Sequence, residues 1–446
     1  MINPKLRKAY DLRGTVGGTL TADDARGVGL AFAAIARGRG LARIAVSRDG
    51  RLSSPELEAA LVEGLIGGGM RVFRMPMGPT PIVSFTIDRL GLDGGVMVTG
   101  SHNPPDQNGF KLHLGGDPVH GEGLKRLWEA EPARAAGGAV EEVDLSEDYL
   151  RALAAEVRAP FRAIWDSGNG ATGEIVERLI ARLPGSHQGL FTDMDGAFPN
   201  HHPDPSVPEN LAPLQKAVRS GGWDLGIAFD GDGDRVGLVD EEGEIVWADQ
   251  LLLLLACDVL AERPGAAIVA DVKSSNALFD GIAAAGGRGV MGASGYVLVR
   301  EKMLAEGAPL AGEMSGHIFF GDRWHFADDG LYVACRALGA LARAGTSLAE
   351  FRRSLPQTFA TPELRFACPD ARKAEVLAGV AEALEGVAVD RTDGLRVTEP
   401  DGWWLLRASG TEAKLTARIE AASPEGRDRL RARLAERLGA FGLELP

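Results

Sequence analysis

Three short stretches have residue types and spacings suited to chemistry on an anionic group. In Thr99-Gly100-Ser101-His102-Asn103-Pro104-Pro105-Asp106-Gln107-Asn108-Gly109-Phe110-Lys111, a serine hydroxyl lies between a glycine and an imidazole, with an ammonium further along. Gly100 frees the backbone before the serine, and Asn103-Pro104-Pro105 restricts the exit. A hydroxyl held this way suits a nucleophile or a carried phosphate, although an isolated Gly-Ser-His reads better as a proline-rich surface turn. In Asp230-Gly231-Asp232-Gly233-Asp234-Arg235, three carboxylates repel one another unless water or a cation screens them. The intervening glycines let all three turn towards one point, and hard oxygen donors of this kind suit Mg²⁺ or Ca²⁺ rather than zinc. An EF-hand loop fails here, because Arg235 stands where that loop needs glycine and strand-like segments flank it. In Arg407-Ala408-Ser409-Gly410-Thr411, an arginine fork followed by a small-residue turn suits phosphate binding through the guanidinium and backbone N–H groups.

Weaker signals accompany these. Glu313 and Ser315, in Gly312-Glu313-Met314-Ser315-Gly316-His317, have the short polar reach that sugar hydroxyls need, or could simply cap a helix. His102 and His317 taken singly are ordinary loop histidines. His201-His202-Pro203-Asp204 reads as a structured proline turn, and Lys273 as a surface lysine after a strand.

The elements that position these loops recur. An apolar strand, a turn rich in Asp, Gly and Ser, and a helix appear at Ile44-Ala45-Val46, at Ala163-Ile164-Trp165 and at Ala267-Ile268-Val269-Ala270. A second strand follows each helix (Val72–Arg74, Gly189–Phe191, Gly289–Met291), and then an unusual loop: Thr99–Asn103, Asp230–Arg235 and Gly312–His317. This alternation predicts three related α/β units whose third loops face a shared cleft. Lys8–Gly14 reads as a loop, and Thr21–Arg37 as an amphipathic helix. From Thr361 the pattern changes to strands at Glu363–Ala367, Gly394–Val397 and Trp403–Arg407, one strand through Ile419, and helices at Ala371–Leu384 and Pro424–Leu438, a small α+β domain.

Composition narrows the function class. A chain of 446 residues exceeds a single core, and 45% hydrophobic with 25% charged residues is ordinary for a globular protein. A net charge of −14 argues against a general nucleic-acid binder, which needs a basic face. Cys257, Cys335 and Cys368 lack metal-ligand spacing; Cys257 and Cys335 lie in apolar helical runs, so buried thiols are expected. No signal peptide opens the sequence, and Leu251–Ala256 is interrupted by Asp258 well short of a membrane span, so no membrane association and a cytoplasmic location are expected.

Six motifs in order resemble the α-D-phosphohexomutase superfamily, and most of all its bacterial phosphomannomutase/phosphoglucomutase branch. They are Ala9-Tyr10-Asp11-Leu12-Arg13-Gly14, Thr99–Lys111, Phe198-Pro199-Asn200-His201-His202-Pro203-Asp204-Pro205, Asp230–Arg235, Gly312–His317 and Arg407–Thr411. The resemblance implies four domains in a heart-shaped arrangement, three related α/β units with mixed sheets and a C-terminal α+β domain. With the repeats, it places them at 1–146, 147–247, 248–358 and 359–446. It implies reversible phosphoryl transfer between C6 and C1 of mannose phosphates, and of glucose phosphates too, through a phosphoserine and a hexose 1,6-bisphosphate. Ser101 would carry the phosphate. Asp230, Asp232 and Asp234 would hold Mg²⁺, completed by an oxygen on Ser101. Arg13, His102, Lys111 and Arg235 would surround the transferring group, with His102 and Lys111 the candidates for proton transfer. Tyr10 and Lys273 would approach the sugar, Glu313 and Ser315 would take its 3- and 4-hydroxyls, and Arg407, Ser409, Gly410 and Thr411 would grip the non-reacting phosphate. A movable fourth domain would suit an intermediate that must reverse. The partner is a small phosphosugar, with the chain a monomer or weak homodimer.

The chain departs from the branch at Ser294-Gly295-Tyr296-Val297, where relatives often have Gly-His-Ser, and at Gly410 and Ala413. Ser-Gly-Thr-Glu also occurs in phosphoglucosamine mutases, but Met314 stands where those enzymes usually carry glutamine. A non-catalytic phosphosugar-binding protein is the rival from another class; it has no use for a phosphorylatable serine beside three aspartates.

Overall fold

The computed structural model describes residues 2–131, 133–382, 384, 387–410 and 413–446. They fall into two compact units, one of Met1–Asp258 with Ser315–Arg352, the other of Val259–Met314 with Arg353–Pro446.

Unit one contains the first two repeats. In the first sheet the strand order is Leu12–Thr15, Gln107–Leu114, Gly94–Val98, Arg43–Arg48, Arg71–Arg74 and Ala139–Glu142, with Asp117–Pro118 added beside Gln107–Leu114. Arg43–Arg48 is parallel to both its neighbours, whereas Gly94–Val98 and Gln107–Leu114 are antiparallel. The helix Ala22–Gly38 starts where expected, because Thr21 and Asp24 form a reciprocal capping box. Its Ala25, Val28, Phe32 and Ala36 recur at helical spacing and meet Leu61 and Leu65 of the helix Ser54–Gly67 over the sheet. The second sheet runs Ile245–Val246, Val236–Asp240, Leu225–Phe229, Phe161–Asp166, Gly185–Leu190. Again the first strand of the repeat, Phe161–Asp166, is parallel to both neighbours, and the next connection is antiparallel. The serine loop and the aspartate loop therefore join corresponding strands of two related sheets.

Unit two holds the third repeat's parallel strands, Arg288–Gly292, Ala267–Asp271 and Leu310–Gly312, with Ala267–Asp271 central as in the other copies. It also holds the C-terminal antiparallel sheet, in which Lys414–Ala421 pairs with Phe359–Ala360, Leu364–Ala367 and Gly402–Ala408, followed by Leu395–Glu399 and Ala388–Asp390. The helices Asp370–Glu382 and Pro424–Gly439 cover one face through Val376, Val380, Leu430, Leu434 and Leu438. Val272, Trp403 and Leu405 form a small core that joins the two sheets of this unit.

Two expectations need correction. Leu12–Thr15 is a strand, antiparallel to Gln107–Leu114, rather than part of a loop. Four residues reading Leu-Arg-Gly-Thr carry no periodic signal, and a long-range partner supplies the pairing. Cys335 is buried as expected, but Cys257 is exposed, on the outward face of the helix Ala248–Glu262. Among the described residues no helix is long and apolar enough to cross a membrane.

Candidate active site

Register on the first sheet sets the cationic side chains. Arg13 lies opposite Gly109, and Lys111 follows two residues along the same strand, so the two side chains share a face. Gly109 is required: a Cβ there would stand 1.8 Å from the Leu12 carbonyl oxygen and 2.9 Å from Arg13 Cδ. Arg13 Nη1 donates to the Thr99 carbonyl at 2.7 Å and Nε to Asp11 at 2.8 Å. Ser101 itself sits at φ 49°, the left-handed region that residues with a side chain seldom adopt. Its backbone N–H donates to Thr99 Oγ1 at 2.8 Å. The hydroxyl donates to Asp230 Oδ2 at 2.8 Å and lies 3.1 Å from His102 Nδ1.

The aspartate loop approaches the serine loop closely. A Cβ at Gly231 would be 2.4 Å from the Ser101 carbonyl oxygen, so only glycine allows the approach. Asp230, Asp232 and Asp234 are buried and offer oxygens within 4.8 Å of one another. Lys111 Nζ donates to Asp232 Oδ2 at 2.8 Å and to Asp234, while Thr80 Oγ1 donates to Asp232 at 2.5 Å. Arg235 Nε reaches Asp230 at 3.1 Å and Nη1 reaches Asp204 at 3.3 Å. The Oδ1 atoms of Asp232 and Asp234 are buried without a hydrogen-bond partner. Three converging carboxylates, two of them with an orphaned oxygen beside their Lys111 pairing, fit a hard divalent cation.

Charge is unevenly distributed in this cluster. Burial, with the charges of Asp234 and Asp232 against the pull of Arg235, pushes Asp230 up to about 7. Burial opposes ionisation of Asp232 too, but the Lys111 ammonium and the Thr80 hydroxyl outweigh it and hold that carboxyl below its usual range. Asp204 is likewise drawn down to about 2 against its burial, by Arg235 and His102. His102 is held well below the ordinary imidazole value by burial and then by Arg235, so it is neutral near pH 7.

The remaining expected residues divide between the units. Tyr10 is half-buried in the bend before Leu12–Thr15. Ser315 belongs to unit one, next to Gly316, whose carbonyl accepts the Val236 N–H at 3.4 Å. In unit two, Glu313 Oε2 accepts the Gly295 N–H at 2.9 Å. Lys273 Nζ lies 3.7 Å from Asp271 and 3.9 Å from Glu363. Arg407 Nε donates to Asp393 at 2.8 Å. The Ser409 carbonyl accepts from Lys373 Nζ at 2.8 Å, and Gly410 is exposed, with no atom of the described residues within 4 Å of a notional Cβ. Thr411 lies outside the described residues.

Several participants were not expected. Asp204, in the proline turn, holds Arg235; Thr80 holds Asp232; and His317 Nδ1 sits 2.7 Å from Asp328 and 3.7 Å from Asp234. The glycine-bracketed turn before His317 was the available signal for that residue. Asp204 and Thr80 act across 31 and 152 residues of sequence and gave none.

A buried hydroxyl set against carboxylates, with an ammonium, a guanidinium and a neutral imidazole beside it on the loops of α/β sheets, is the equipment of a phosphoryl-transfer protein. Family models match most of the chain: phosphoglucomutase/phosphomannomutase α/β/α domain I matches residues 4–129, domain II 147–243, domain III 247–359, and the C-terminal domain 363–437. A phosphomannomutase/phosphoglucomutase of Pseudomonas aeruginosa is 41% identical over 446 aligned residues, covering 98% of this chain and 96% of that protein. A phosphoglucomutase of Neisseria meningitidis is 43% identical, covering 93% and 92%. The crystal structure of a phosphoglucomutase/phosphomannomutase family protein from Burkholderia thailandensis superposes with TM-score 0.93 at 39% identity over all of both chains. The chain belongs to the phosphoglucomutase/phosphomannomutase family.

Proposed function

We propose that this enzyme is a phosphohexomutase that interconverts the 6- and 1-phosphates of mannose and glucose, with Ser101 as the carrier of the phosphoryl group. Starting from a hexose 6-phosphate, the P–Oγ bond of phosphorylated Ser101 breaks as a bond forms to the sugar O1, which gives a hexose 1,6-bisphosphate and a free serine. The intermediate reverses, and Ser101 Oγ takes the phosphoryl group from O6, which leaves the 1-phosphate. Splitting one isomerisation into two transfers lets a single set of charges serve both.

The observation that carries this reading is the Ser101 Oγ–Asp230 Oδ2 hydrogen bond at 2.8 Å, with Lys111 and Arg235 paired to carboxylates of the same aspartate loop. Asp230, Asp232 and Asp234 would hold Mg²⁺, which when bound neutralises charge on the phosphoryl oxygens. His102 Nδ1, neutral and within reach of Oγ, moves the proton in each transfer: from the sugar O1 hydroxyl to the departing Oγ in the first, and from the Ser101 hydroxyl to the departing O6 in the second. Arg13, Lys111 and Arg235 offset the charge of the moving group. Tyr10, Lys273, Glu313 and Ser315 serve the sugar. The Nη groups of Arg407, with Ser409, Gly410 and Thr411, take the phosphate that is not reacting. The boundaries at 146, 247 and 358 separate the four domains.

Turnover of mannose, glucose and glucosamine phosphates, with Mg²⁺ and a trace of hexose 1,6-bisphosphate, tests the reading in wild type and Ser101→Ala. Mannose and glucose phosphates should turn over and the variant should be inactive. A preference for glucosamine phosphate would overturn the substrate assignment, and an active Ser101→Ala would overturn the carrier.

A further inference from the structure

Ser101 is held by a residue that none of its own loop chemistry requires. Arg51, 1% exposed, lies under the serine loop and points its guanidinium at four consecutive-loop carbonyls. Nη2 donates to Ser101 and Asn103 at 2.6 Å each, and Nη1 donates to Pro104 at 2.6 Å and Gln107 at 2.9 Å. Asp49 completes the brace: it lies 3.3 Å from Arg51 Nε, accepts the Gly100 N–H at 3.1 Å, and is itself held by the Ser54 hydroxyl at 2.5 Å. The guanidinium is backed by the Phe198 ring, 5.1 Å from Cζ. Gly196 packs so tightly that a Cβ there would be 2.7 Å from Arg51 Cα. The second repeat's proline-rich motif thereby supports the first repeat's arginine.

The brace matters because Ser101 is strained. A side chain in the left-handed region is unfavourable and persists only where the surroundings over-determine it. At Ser101 the surroundings are Arg51 on its carbonyl and Thr99 on its N–H.

We propose that Arg51 is a positioning residue for phosphoryl transfer: by gathering four carbonyls of the serine loop it fixes Ser101 in the left-handed conformation that aims Oγ at Asp230. The transfer step rests on the function proposed above; the loop geometry does not. A fork with two Nη groups is needed, since a lysine ammonium is a single point with three donors and cannot span four acceptors. Misplacement of a reacting atom by about 1 Å costs on the order of 10²-fold in rate, while sugar binding is made by other residues. In Arg51→Gln and Arg51→Lys, kcat should therefore fall by about 10²-fold with KM changed by less than about threefold.

Hydrogen exchange is the second readout and needs no activity. Both variants should lose protection at amides 99–108 and keep wild-type protection in the strand Leu225–Phe229. Should Arg51→Gln fail to fold, Asp49→Asn retains Arg51 but removes the charge that orients its guanidinium, and should lower kcat with KM unchanged. Wild-type kcat in Arg51→Lys, or unchanged exchange at 99–108, overturns the proposal. An inactive wild-type enzyme would instead refute the proposed function and leave the exchange result to decide this one.

Discussion

Replacing Lys111 with methionine isolates the electrostatics of the site. The ammonium is 6% exposed and contacts Asp232 and Asp234, whose side chains are 0% and 1% exposed. Methionine keeps much of the stem's volume and removes the charge, which leaves two buried carboxylates without their cation. Breaking a buried pair in this way costs about 3–5 kcal/mol. At about 2–4 °C per kcal/mol for a domain of this size, the melting temperature in EDTA should drop by about 6–20 °C. A divalent cation binding the same carboxylates should recover much of the loss. At one hundred times its dissociation constant a ligand adds about 2.7 kcal/mol, and the stripped cluster should bind it at lower concentration than wild type does. Differential scanning calorimetry of wild type and Lys111→Met, each titrated with Mg²⁺, measures both effects. A Lys111→Met deficit that is the same with and without Mg²⁺ would refute the shared-cluster reasoning, as would a variant as stable as wild type in EDTA.

Other consequences are more local. Gly231→Ala places a methyl 2.4 Å from the Ser101 carbonyl, and forcing the loops apart should lower kcat more than about tenfold in a steady-state assay, by the rate cost of misplacing a reacting group. Arg407→Lys removes the fork but keeps the charge. Loss of charged hydrogen bonds worth about 1.5–3 kcal/mol should raise KM about 10- to 100-fold with a smaller effect on kcat. Burial opposes protonation of His201, but the hydrogen bond and charge of Asp166 win and its pKa is raised. A raised pKa stabilises the fold below the unfolded value, and that contribution disappears as pH rises through the folded value. Urea unfolding should therefore show His201→Asn less stable than wild type by more at pH about 5.5 than at about 9; an equal deficit at both would refute the pair.

The loops legible from sequence were those whose chemistry is local. Asp230-Gly231-Asp232-Gly233-Asp234 stands out as a candidate cation site because its glycines and carboxylates alternate within one turn, and Thr99–Lys111 shows its fixed exit through Pro104 and Pro105. The repeat was legible for the same reason: each strand, turn and helix is encoded in a continuous segment. What escaped is what distance creates. Arg51 reads as one more basic residue in a turn, and only the return of the chain 50 residues later puts Ser101 over its guanidinium. Arg13 was read as a loop residue because Leu12–Thr15 becomes a strand solely by pairing with Gln107–Leu114. Asp204 was hidden inside a motif whose prolines explained its shape, and the structure gives that carboxylate to Arg235.

The central claim is that Ser101 gives its phosphate to the sugar and recovers one from it. Enzyme labelled with ³²P on Ser101, mixed in a single turnover with excess unlabelled glucose 6-phosphate and quenched in acid, tests it directly. The label should leave the protein and appear on C1 of glucose 1,6-bisphosphate within one catalytic cycle. Label that stays on the protein while glucose 1-phosphate accumulates would contradict the account.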